Sequence, residues 1–297
     1  MATAVFGFLC RDIILTAHDN QKKQTIGGKG YYAGRCLATL GEETHVFAAL
    51  DRNSSDILEE MSGQELHLNL QLHSFPTLRI PHFTNTYRDA SLNQRISRAT
   101  YANFSYCIER IEPAAKEALR RCQNVYLGPS CRQEISLSFL EDLRALLPQA
   151  RIAADLEYFV KRYSPAGVSC YEPRDQVLAL LSRIDIVQIA EEDVLITRQK
   201  NEQDALRVLA AAGPDEVILT KGKKGAVLYT AANQQYYHLP AVPPKRLVDT
   251  TGAGDTFLAA YLFARQRTAP EQAGKFAARI ASRKIQYHGP LISPLKN

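Results

Sequence analysis

The chain has few cysteines, and they follow no recognisable pattern. The six cysteines stand at positions 10, 36, 107, 122, 131 and 170, and no two are spaced as Cys-x-x-Cys. No group of cysteine and histidine has the spacing of a zinc site, so a structural zinc centre and a disulfide framework are both disfavoured. Scattered free thiols suit a reducing compartment, which predicts a cytoplasmic location.

Long apolar runs and long runs of one charge are also missing. No run is long enough to cross a bilayer, and the first dozen residues lack the basic start and apolar core of a signal peptide. The net charge of +5 comes from 36 basic and 31 acidic residues that are dispersed along the chain. Short basic clusters such as Arg120-Arg121 are typical of a solvated surface. We therefore expect neither a membrane nor a nucleic acid as a partner.

Strand and helix patterns alternate from about residue 111 onward. Short apolar runs, such as residues 125–127 and 152–154, are separated by segments whose apolar residues recur at helical spacing. Repeated units of this kind predict a parallel sheet with helices on both faces. The length of 297 residues allows one large domain or two ordinary ones.

One stretch, residues 249–257, combines a turn with the start of a helix. Its sequence Asp-Thr-Thr-Gly-Ala-Gly-Asp-Thr-Phe places Gly252, Ala253 and Gly254 at a helix N-terminus. Free N–H groups and the helix dipole there favour a phosphate or a developing oxyanion. Asp255 is then placed to deprotonate a hydroxyl beside an incoming phosphoryl group. Alternatively, residues 249–251 cap the helix and Asp255 only complements its dipole.

A second glycine-rich stretch lies near the N-terminus. Residues 5–9 read as a buried strand, and Asp12 follows at the end where ligands bind in open α/β sheets, although it could be a simple turn residue. Gly27 and Gly28 precede an apolar helix face and place backbone N–H groups near a ligand. Tyr32 follows them, and the sequence leaves open whether its ring belongs to the site or to the core.

Together, residues 27–41 and 249–255 resemble the two signatures of the ribokinase-like (PfkB) carbohydrate kinases. The Tyr-Tyr-Ala at positions 31–33 is similar to the branch that includes plant myo-inositol kinases. The resemblance covers nearly the whole chain and implies a single α/β domain over residues 1–297. That domain is a three-layer α/β/α ribokinase-like fold with a mostly parallel central sheet and a small β lid, contributed by about residues 12–25 and 76–106.

The resemblance also implies which residues contact the phosphate acceptor. Asp12 matches the aspartate that hydrogen-bonds acceptor hydroxyls, and the glycine pair lies beside it. Relatives often carry an asparagine after this pair, and the tyrosines that replace it argue against an ordinary ribose or fructose specificity. The implied acceptor-binding residues are Asp12, Gly27, Gly28, Tyr32 and Arg95.

For the nucleotide, the resemblance implies contacts from Thr220, Gly222, Gly225 and Thr251. Lysines 221, 223 and 224 would steer ATP electrostatically.

Two ions are also implied. Asp193 stands where the family has a glutamate that helps hold Mg²⁺ through water, with Glu192 as the second candidate. An acidic cluster at a helix start is the alternative interpretation. Some relatives bind K⁺ near the last segment, so a K⁺ requirement is left open.

The predicted function is therefore ATP-dependent phosphorylation of a hydroxyl on a small sugar or polyol. Because the chain has no Walker A sequence, nucleotide binding would depend on the two glycine turns. Asp255 would act as the base, and the N–H groups of Gly252, Ala253 and Gly254 would stabilise the transferred phosphoryl group.

Two alternatives remain open. One is a nucleoside kinase on the same fold. The other is a catalytically silent regulator that binds sugar or nucleotide, suggested by the missing Asn-x-x-Glu pattern. A homodimer through an exposed lid strand is a further prediction.

Overall fold

The computed structural model of the protein describes residues 1–16, 21–62, 69–87, 95–100, 104–163, 169–171 and 174–292. Its strands are β1 (Ala2–Gly7), β2 (Cys10–Thr16), β3 (Gln21–Gly27), β4 (Glu43–Leu50), β5 (Leu70–Pro76), β6 (His82–Tyr87), β7 (Arg95–Thr100), β8 (Asn124–Gly128), β9 (Arg151–Asp155), β10 (Lys161–Tyr163), β11 (Ser169–Tyr171), β12 (Ile186–Ala190), β13 (Glu216–Thr220), β14 (Ala226–Thr230) and β15 (Gln235–Leu239).

Its α-helices are α1 (Lys29–Thr39), α2 (Ser55–Ser62), α3 (Pro113–Arg120), α4 (Leu137–Leu146), α5 (Glu157–Val160), α6 (Arg174–Leu181), α7 (Glu202–Ala211), α8 (Ala253–Arg265) and α9 (Pro270–Lys284). Short 3-10 helices lie at Ile108–Arg110, Arg132–Glu134, Glu191–Thr197 and Gly222–Lys224. No helix among these residues is both long and apolar enough to cross a membrane.

The central sheet contains nine strands within the described residues, in the order β15-β14-β13-β12-β9-β8-β1-β4-β5. The seven strands β13, β12, β9, β8, β1, β4 and β5 pair in parallel, whereas β14 and β15 extend the sheet beyond β13 as antiparallel strands. The mostly parallel sheet predicted from the alternating pattern is therefore confirmed. Parallel strands direct their carboxyl ends to one edge, where ligands bind in such folds.

Helices cover both faces of this sheet because successive strand residues point to opposite sides. On β1, Val5 packs in a core with residues of α1, α8 and α9. Its neighbours Ala4 and Phe6 pack in the opposite core, with residues of α3, α4, α6 and α7. The three-layer α/β/α architecture is thus confirmed.

A separate four-stranded sheet, which we call the lid, has the order β3-β2-β6-β7. Its strands overlap the two segments to which the lid was assigned, 12–25 and 76–106. The exact bounds of the lid and the single-domain assignment of residues 1–297 stay predictions.

Two local details differ from the sequence-based expectation. The first strand spans Ala2–Gly7 and not residues 5–9, and Asp12 lies inside β2 rather than in a turn after β1. Residues 21–27 form β3 despite their polar composition, because they pair along their whole length with β2. In this segment, hydrogen bonding to the neighbouring strand outweighs the weak intrinsic strand propensity of the polar residues.

An aromatic cluster anchors β1 in one of the two cores. The fully buried Phe6 ring stacks on Phe47 at a centroid distance of 4.7 Å and meets Tyr106 and Phe139 edge-on at 5.3 and 5.2 Å. Such geometry adds to the stabilisation that burial alone provides.

We expect Phe6→Ala to lower the free energy of unfolding by about 3–5 kcal/mol, because it opens a cavity in this cluster. Leu195→Ala is the control; this side chain is 66% exposed, and its loss should change stability by less than about 0.5 kcal/mol. Urea unfolding of both variants measures the difference. A loss below about 1 kcal/mol for Phe6→Ala would contradict the packing described here.

Candidate active site

The turn before α8 lies at the carboxyl edge of the sheet and has the geometry of an anion site. Gly252 precedes the helix with φ 72°, and the Thr256 N–H donates to its carbonyl at 2.9 Å. The Asp249 carboxylate accepts from the Thr251 N–H at 2.9 Å and so fixes the start of the turn. The Ala253 N–H donates to the Thr250 carbonyl at 3.1 Å. The N–H of Ala253 is therefore already used within the turn, whereas Gly254 lies in the first helical turn, where N–H groups lack a helical partner.

Only glycine fits at position 252. A Cβ atom there would lie 2.2 Å from the Tyr32 ring, and the left-handed φ is strained for other residues. The close approach of Gly252 to Tyr32 brings the turn against α1.

Asp255 lies in the first turn of α8, and its side chain is held by two donors. The Tyr126 hydroxyl donates to Oδ1 at 3.0 Å, and the Lys29 ammonium donates to the same oxygen at 3.4 Å. Burial raises the pKa of Asp255; Lys29 lowers it, while Asp155 and Glu157 raise it further, and the net direction is upward. A buried carboxylate with a raised pKa is a stronger base than a free aspartate.

Lys29 is the centre of the site's electrostatics. Its ammonium is 3.0 Å from Asp155 Oδ1, 3.0 Å from Glu157 Oε2 and 3.4 Å from Asp255 Oδ1, and its side chain is 5% exposed. Burial alone would lower the pKa of Lys29, but the three carboxylates outweigh it and hold the pKa well above its usual value. Lys29 therefore stays charged and balances part of the negative charge around Asp255.

Gln188 ties this charge cluster to the turn. Its Nε2 donates to Asp155 Oδ2 at 3.0 Å and to the Gly254 carbonyl at 3.1 Å. The middle of β12 thereby contacts both an acidic group of the cluster and the first turn of α8.

A small cavity of about 50 Å³ lies between the lid and the turn. Asp12 lines it and is 4% exposed. A Cβ at Gly27 would lie 2.2 Å from Asp12 Oδ2, so glycine there permits the close packing of β2 and β3. The cavity is lined by Phe8, Cys10, Asp12, Gly28, Lys29, Tyr32, Phe83, Glu157, Tyr158, Thr251, Gly252 and Asp255.

One wall of this small cavity is aromatic. The rings of Phe8 and Phe83 lie 5.3 Å apart, and Tyr158 lies 5.9 Å from Phe8 and 5.7 Å from Phe83. The cavity thus combines a charged end at Lys29 and Asp255 with an apolar wall.

A larger cavity of about 740 Å³ lies on the other side of the turn. Thr220, Gly222 and Gly225 line it, as the sequence predicted for a nucleotide site, and so do Thr250, Ala253 and Gly254 of the turn. Thr251 instead lines the small cavity. Further apolar lining comes from Leu239, Val242, Pro243, Pro244, Leu247, Phe257, Ala278, Ala281 and Ile285.

Of the three lysines near this cavity, two are paired. Lys221 forms an ion pair with Glu202 at 2.9 Å, and Lys224 forms one with Glu191 at 2.9 Å. Lys223 lines the cavity directly. Electrostatic attraction of a phosphate chain to the lysines would therefore depend most on Lys223.

Asp193 is fully buried, and its carboxylate lies 2.6 Å from the Lys161 ammonium. Burial raises the pKa of Asp193 to about 7, against the lowering effect of Lys161. The Glu192 side chain is exposed. Within the described residues no group of three or more histidine, cysteine or acidic side chains is arranged to hold a metal ion. A metal-related role for Asp193 stays a prediction, and its buried ion pair does not favour it.

The remaining predicted acceptor contacts fall in different places. Tyr32 lines the small cavity, but the Tyr31 hydroxyl donates to Glu60 Oε1 at 2.7 Å on α2, outside the set that lines this cavity. The backbone of Arg95 begins β7, and its side chain lies outside the described residues.

Several groups around Asp255 were not singled out from the sequence. Lys29 lies between two glycines of the N-terminal motif. Because those glycines were expected to approach a ligand, a charged residue between them could have been recognised as a site residue. Tyr126 and Gln188 lie inside strands that read as ordinary buried segments, and only the three-dimensional arrangement reveals their contacts.

Comparison with known proteins agrees with this geometry. Residues 3–297 match the model of the family described as pfkB family carbohydrate kinase. The chain is 35% identical over 98 residues to the cytidine kinase of Thermococcus kodakarensis, which covers 33% of this chain and 35% of that protein. It is 31% identical over 182 residues to the 2-dehydro-3-deoxygluconokinase of Escherichia coli K12, which covers 59% of this chain and 58% of that protein. The matches thus span about a third to three fifths of these relatives' length.

Among solved structures, the fold is similar to a pyrophosphate-dependent kinase in the ribokinase family complexed with a pyrophosphate analogue and myo-inositol. The TM-score is 0.78 at 19% identity, over 98% of this chain and 97% of that chain. This likeness confirms the ribokinase-like fold.

We expect Lys29→Met to destabilise the protein by about 3–5 kcal/mol at pH 8, because it leaves buried carboxylates without their counter-ion. Without Lys29, the folded-state pKa of Asp255 would rise further above its unfolded value. The folded state then binds more protons than the unfolded state, so stability falls as pH rises and is regained as pH drops.

Urea unfolding at pH 8 and pH 5.5 tests this expectation, with Lys275→Met, an exposed lysine on α9, as the control. An equal loss at both pH values would show that Lys29 acts through packing and not through its charge.

Proposed function

Because the chain belongs to the pfkB carbohydrate kinase family, we propose that it transfers the γ-phosphoryl group of ATP to a hydroxyl of a small sugar or polyol. The observation that carries this proposal is that one turn separates two cavities. Residues 250–254 line the larger cavity on one side and the smaller cavity on the other, and Asp255 faces the smaller one. A donor and an acceptor could therefore meet at this turn.

ATP is the proposed donor because the larger cavity suits a nucleoside. Its volume of about 740 Å³ and its lining of proline, valine, leucine and alanine match a base and sugar better than a pyrophosphate ion alone. The phosphates would then point toward the Gly252–Gly254 end, where helix N–H groups favour anions.

In the proposed reaction the acceptor hydroxyl is held by Asp12 and the Lys29 cluster. The hydroxyl oxygen attacks the γ-phosphorus, the bond from that phosphorus to the bridging oxygen breaks, and ADP leaves. Asp255 takes the hydroxyl proton, while Lys29 and Tyr126 hold its carboxylate in place. The N–H groups at the start of α8 stabilise the charge on the transferred group.

Mg²⁺ would neutralise phosphate charge when bound with the nucleotide. An ion of this kind keeps several waters and is bound largely by the phosphates of the nucleotide. Of the two predicted carboxylates, the exposed Glu192 is better placed to contact Mg²⁺ through water, because Asp193 is buried in an ion pair with Lys161.

A nucleoside is a second candidate acceptor, favoured by the aromatic wall of Phe8, Phe83 and Tyr158 in the small cavity. Aromatic rings stack on bases, but they also pack against the apolar face of a sugar.

A cytoplasmic location also belongs to the proposal, because ATP is the donor and the five cysteines with described side chains are free. The homodimer through the lid stays a prediction.

The first test measures ADP formation with Mg-ATP over a panel of polyols, hexoses, pentoses and nucleosides. We expect acceptor-dependent turnover in the wild type and a loss of about 10²–10⁴-fold in kcat for Asp255→Asn, because the base is removed. Asp142→Asn, at an exposed position on α4, is the control and should keep full activity. Turnover unchanged in Asp255→Asn would eliminate Asp255 as the base, and ATP binding without turnover on any acceptor would favour the silent regulator.

The second test concerns the donor. Ala281→Phe should fill part of the larger cavity and raise the KM for ATP about tenfold or more, since each 1.4 kcal/mol of lost binding is a factor of ten. The KM for the acceptor should stay unchanged. Gln272→Phe on the exposed side of α9 is the matched control. If wild type used pyrophosphate in place of ATP, and Ala281→Phe left that activity intact, the ATP assignment would be wrong.

A further inference from the structure

A buried lysine lies directly behind the anion turn, and the proposed reaction does not use it. Lys284 is the last residue of α9, and its side chain is completely shielded from solvent. Its ammonium donates to the Asp249 carbonyl at 3.1 Å and lies 3.7 Å from Asp249 Oδ2. It also lies 5.2 Å from the centre of the Tyr32 ring, over the face of that ring. Three kinds of electron-rich group therefore surround this one cation.

Backbone hydrogen bonds also join the end of α9 to the start of the turn at residues 249–255. The N–H groups of Val248 and Asp249 both donate to the Ile285 carbonyl, at 2.9 and 3.1 Å. The end of α9 and the start of the turn thus form one unit, with the Lys284 ammonium inside it. The Asp249 carboxylate at the edge of this unit fixes the Thr251 N–H, so the position of the ammonium is coupled to the shape of the turn.

This arrangement does not fit an additional K⁺ ion between the last segment and the turn. K⁺ would need oxygen ligands there, and the Asp249 carbonyl and carboxylate are both already in contact with the ammonium. A second cation a few ångströms from a buried ammonium would meet strong like-charge repulsion, because the interior screens charges poorly. Moving the ammonium aside would also break its contacts with the Asp249 carbonyl and carboxylate.

We propose that the Lys284 ammonium is a built-in monovalent cation for the turn at residues 249–255, and that this kinase is consequently independent of K⁺. The inference rests on the proposed phosphoryl transfer for its kinetic consequence. Lys284 is a positioning residue: it holds the Asp249–Gly252 segment, and through Tyr32 the wall of the acceptor cavity, while touching neither substrate.

The first experiment varies the monovalent cation on the wild type at constant ionic strength. We expect kcat/KM to change by less than about twofold between KCl, NaCl, NH₄Cl and choline chloride, far below the 5–150-fold range typical of coupling between sites. The melting temperature in the absence of substrate should also be the same in all four salts. Activation by K⁺ of fivefold or more over choline, or a K⁺-specific rise in Tm, would overturn the proposal.

The second experiment removes the charge with Lys284→Met, which keeps a side chain of similar length. We expect turnover in choline to fall, and KCl or NH₄Cl to restore it by about fivefold or more, as coupling between an ion site and a reaction site allows. Its Tm should rise by about 2 °C or more in KCl over choline, since an added ion would now bind the folded state. Lys275→Met, on the exposed side of the same helix, should behave like the wild type.

The outcomes separate this inference from the proposed function. A folded Lys284→Met variant that responds to no cation in either measurement would overturn the role of Lys284. If Lys284→Met does not fold, the wild-type salt series still tests whether the enzyme is independent of K⁺. Lys284→Arg then tests the role of the charge, because Arg keeps it and turnover should stay the same in all four salts. If the wild type shows no turnover with any acceptor, the kinase proposal fails, and the Tm series alone decides whether Lys284 replaces a bound cation.

Discussion

The arrangement of the site depends on one ammonium group surrounded by three carboxylates. Lys29 comes from the start of α1, Asp155 from the end of β9, Glu157 from the short helix after it, and Asp255 from the first turn of α8. Without a cation among them, these three acids would repel one another. The ion cluster therefore both joins separate parts of the chain and affects the ionisation of Asp255, the proposed base.

Charge compensation of this kind occurs twice around the same turn. Lys29 lies on the acceptor side, and Lys284 lies behind the turn against Asp249. The Tyr32 ring packs against Gly252 and also lies under the Lys284 ammonium. A small turn made of glycine and threonine has little rigidity of its own, so its geometry comes from these fixed charges and from the helices that carry them.

Much of the fold could be predicted from local pattern, whereas the site's internal contacts could not. Alternating apolar runs indicated the parallel sheet, and the Gly-Ala-Gly stretch indicated the helix start, because both signals lie within a few consecutive residues. The polar composition of β3 does not indicate a strand, because its stability comes from pairing with β2; only the family resemblance placed part of the lid there. Tyr126 and Gln188 read as core residues of strands, and their contacts with Asp255 and Gly254 depend on distances between elements that no local pattern encodes.

The span of the chain between Lys29 and Asp255 has a consequence for how the protein is made. These two residues are 226 positions apart, and Lys284 lies later still. During synthesis Lys29, Asp155, Glu157 and the lid emerge long before the turn at residues 249–255, so Lys29 lacks only its Asp255 partner until α8 is made. Contacts of such long range form late and slowly. Assembly of the site should therefore be one of the last steps of folding, and a chain that ends before α9 would lack the ammonium behind its own turn.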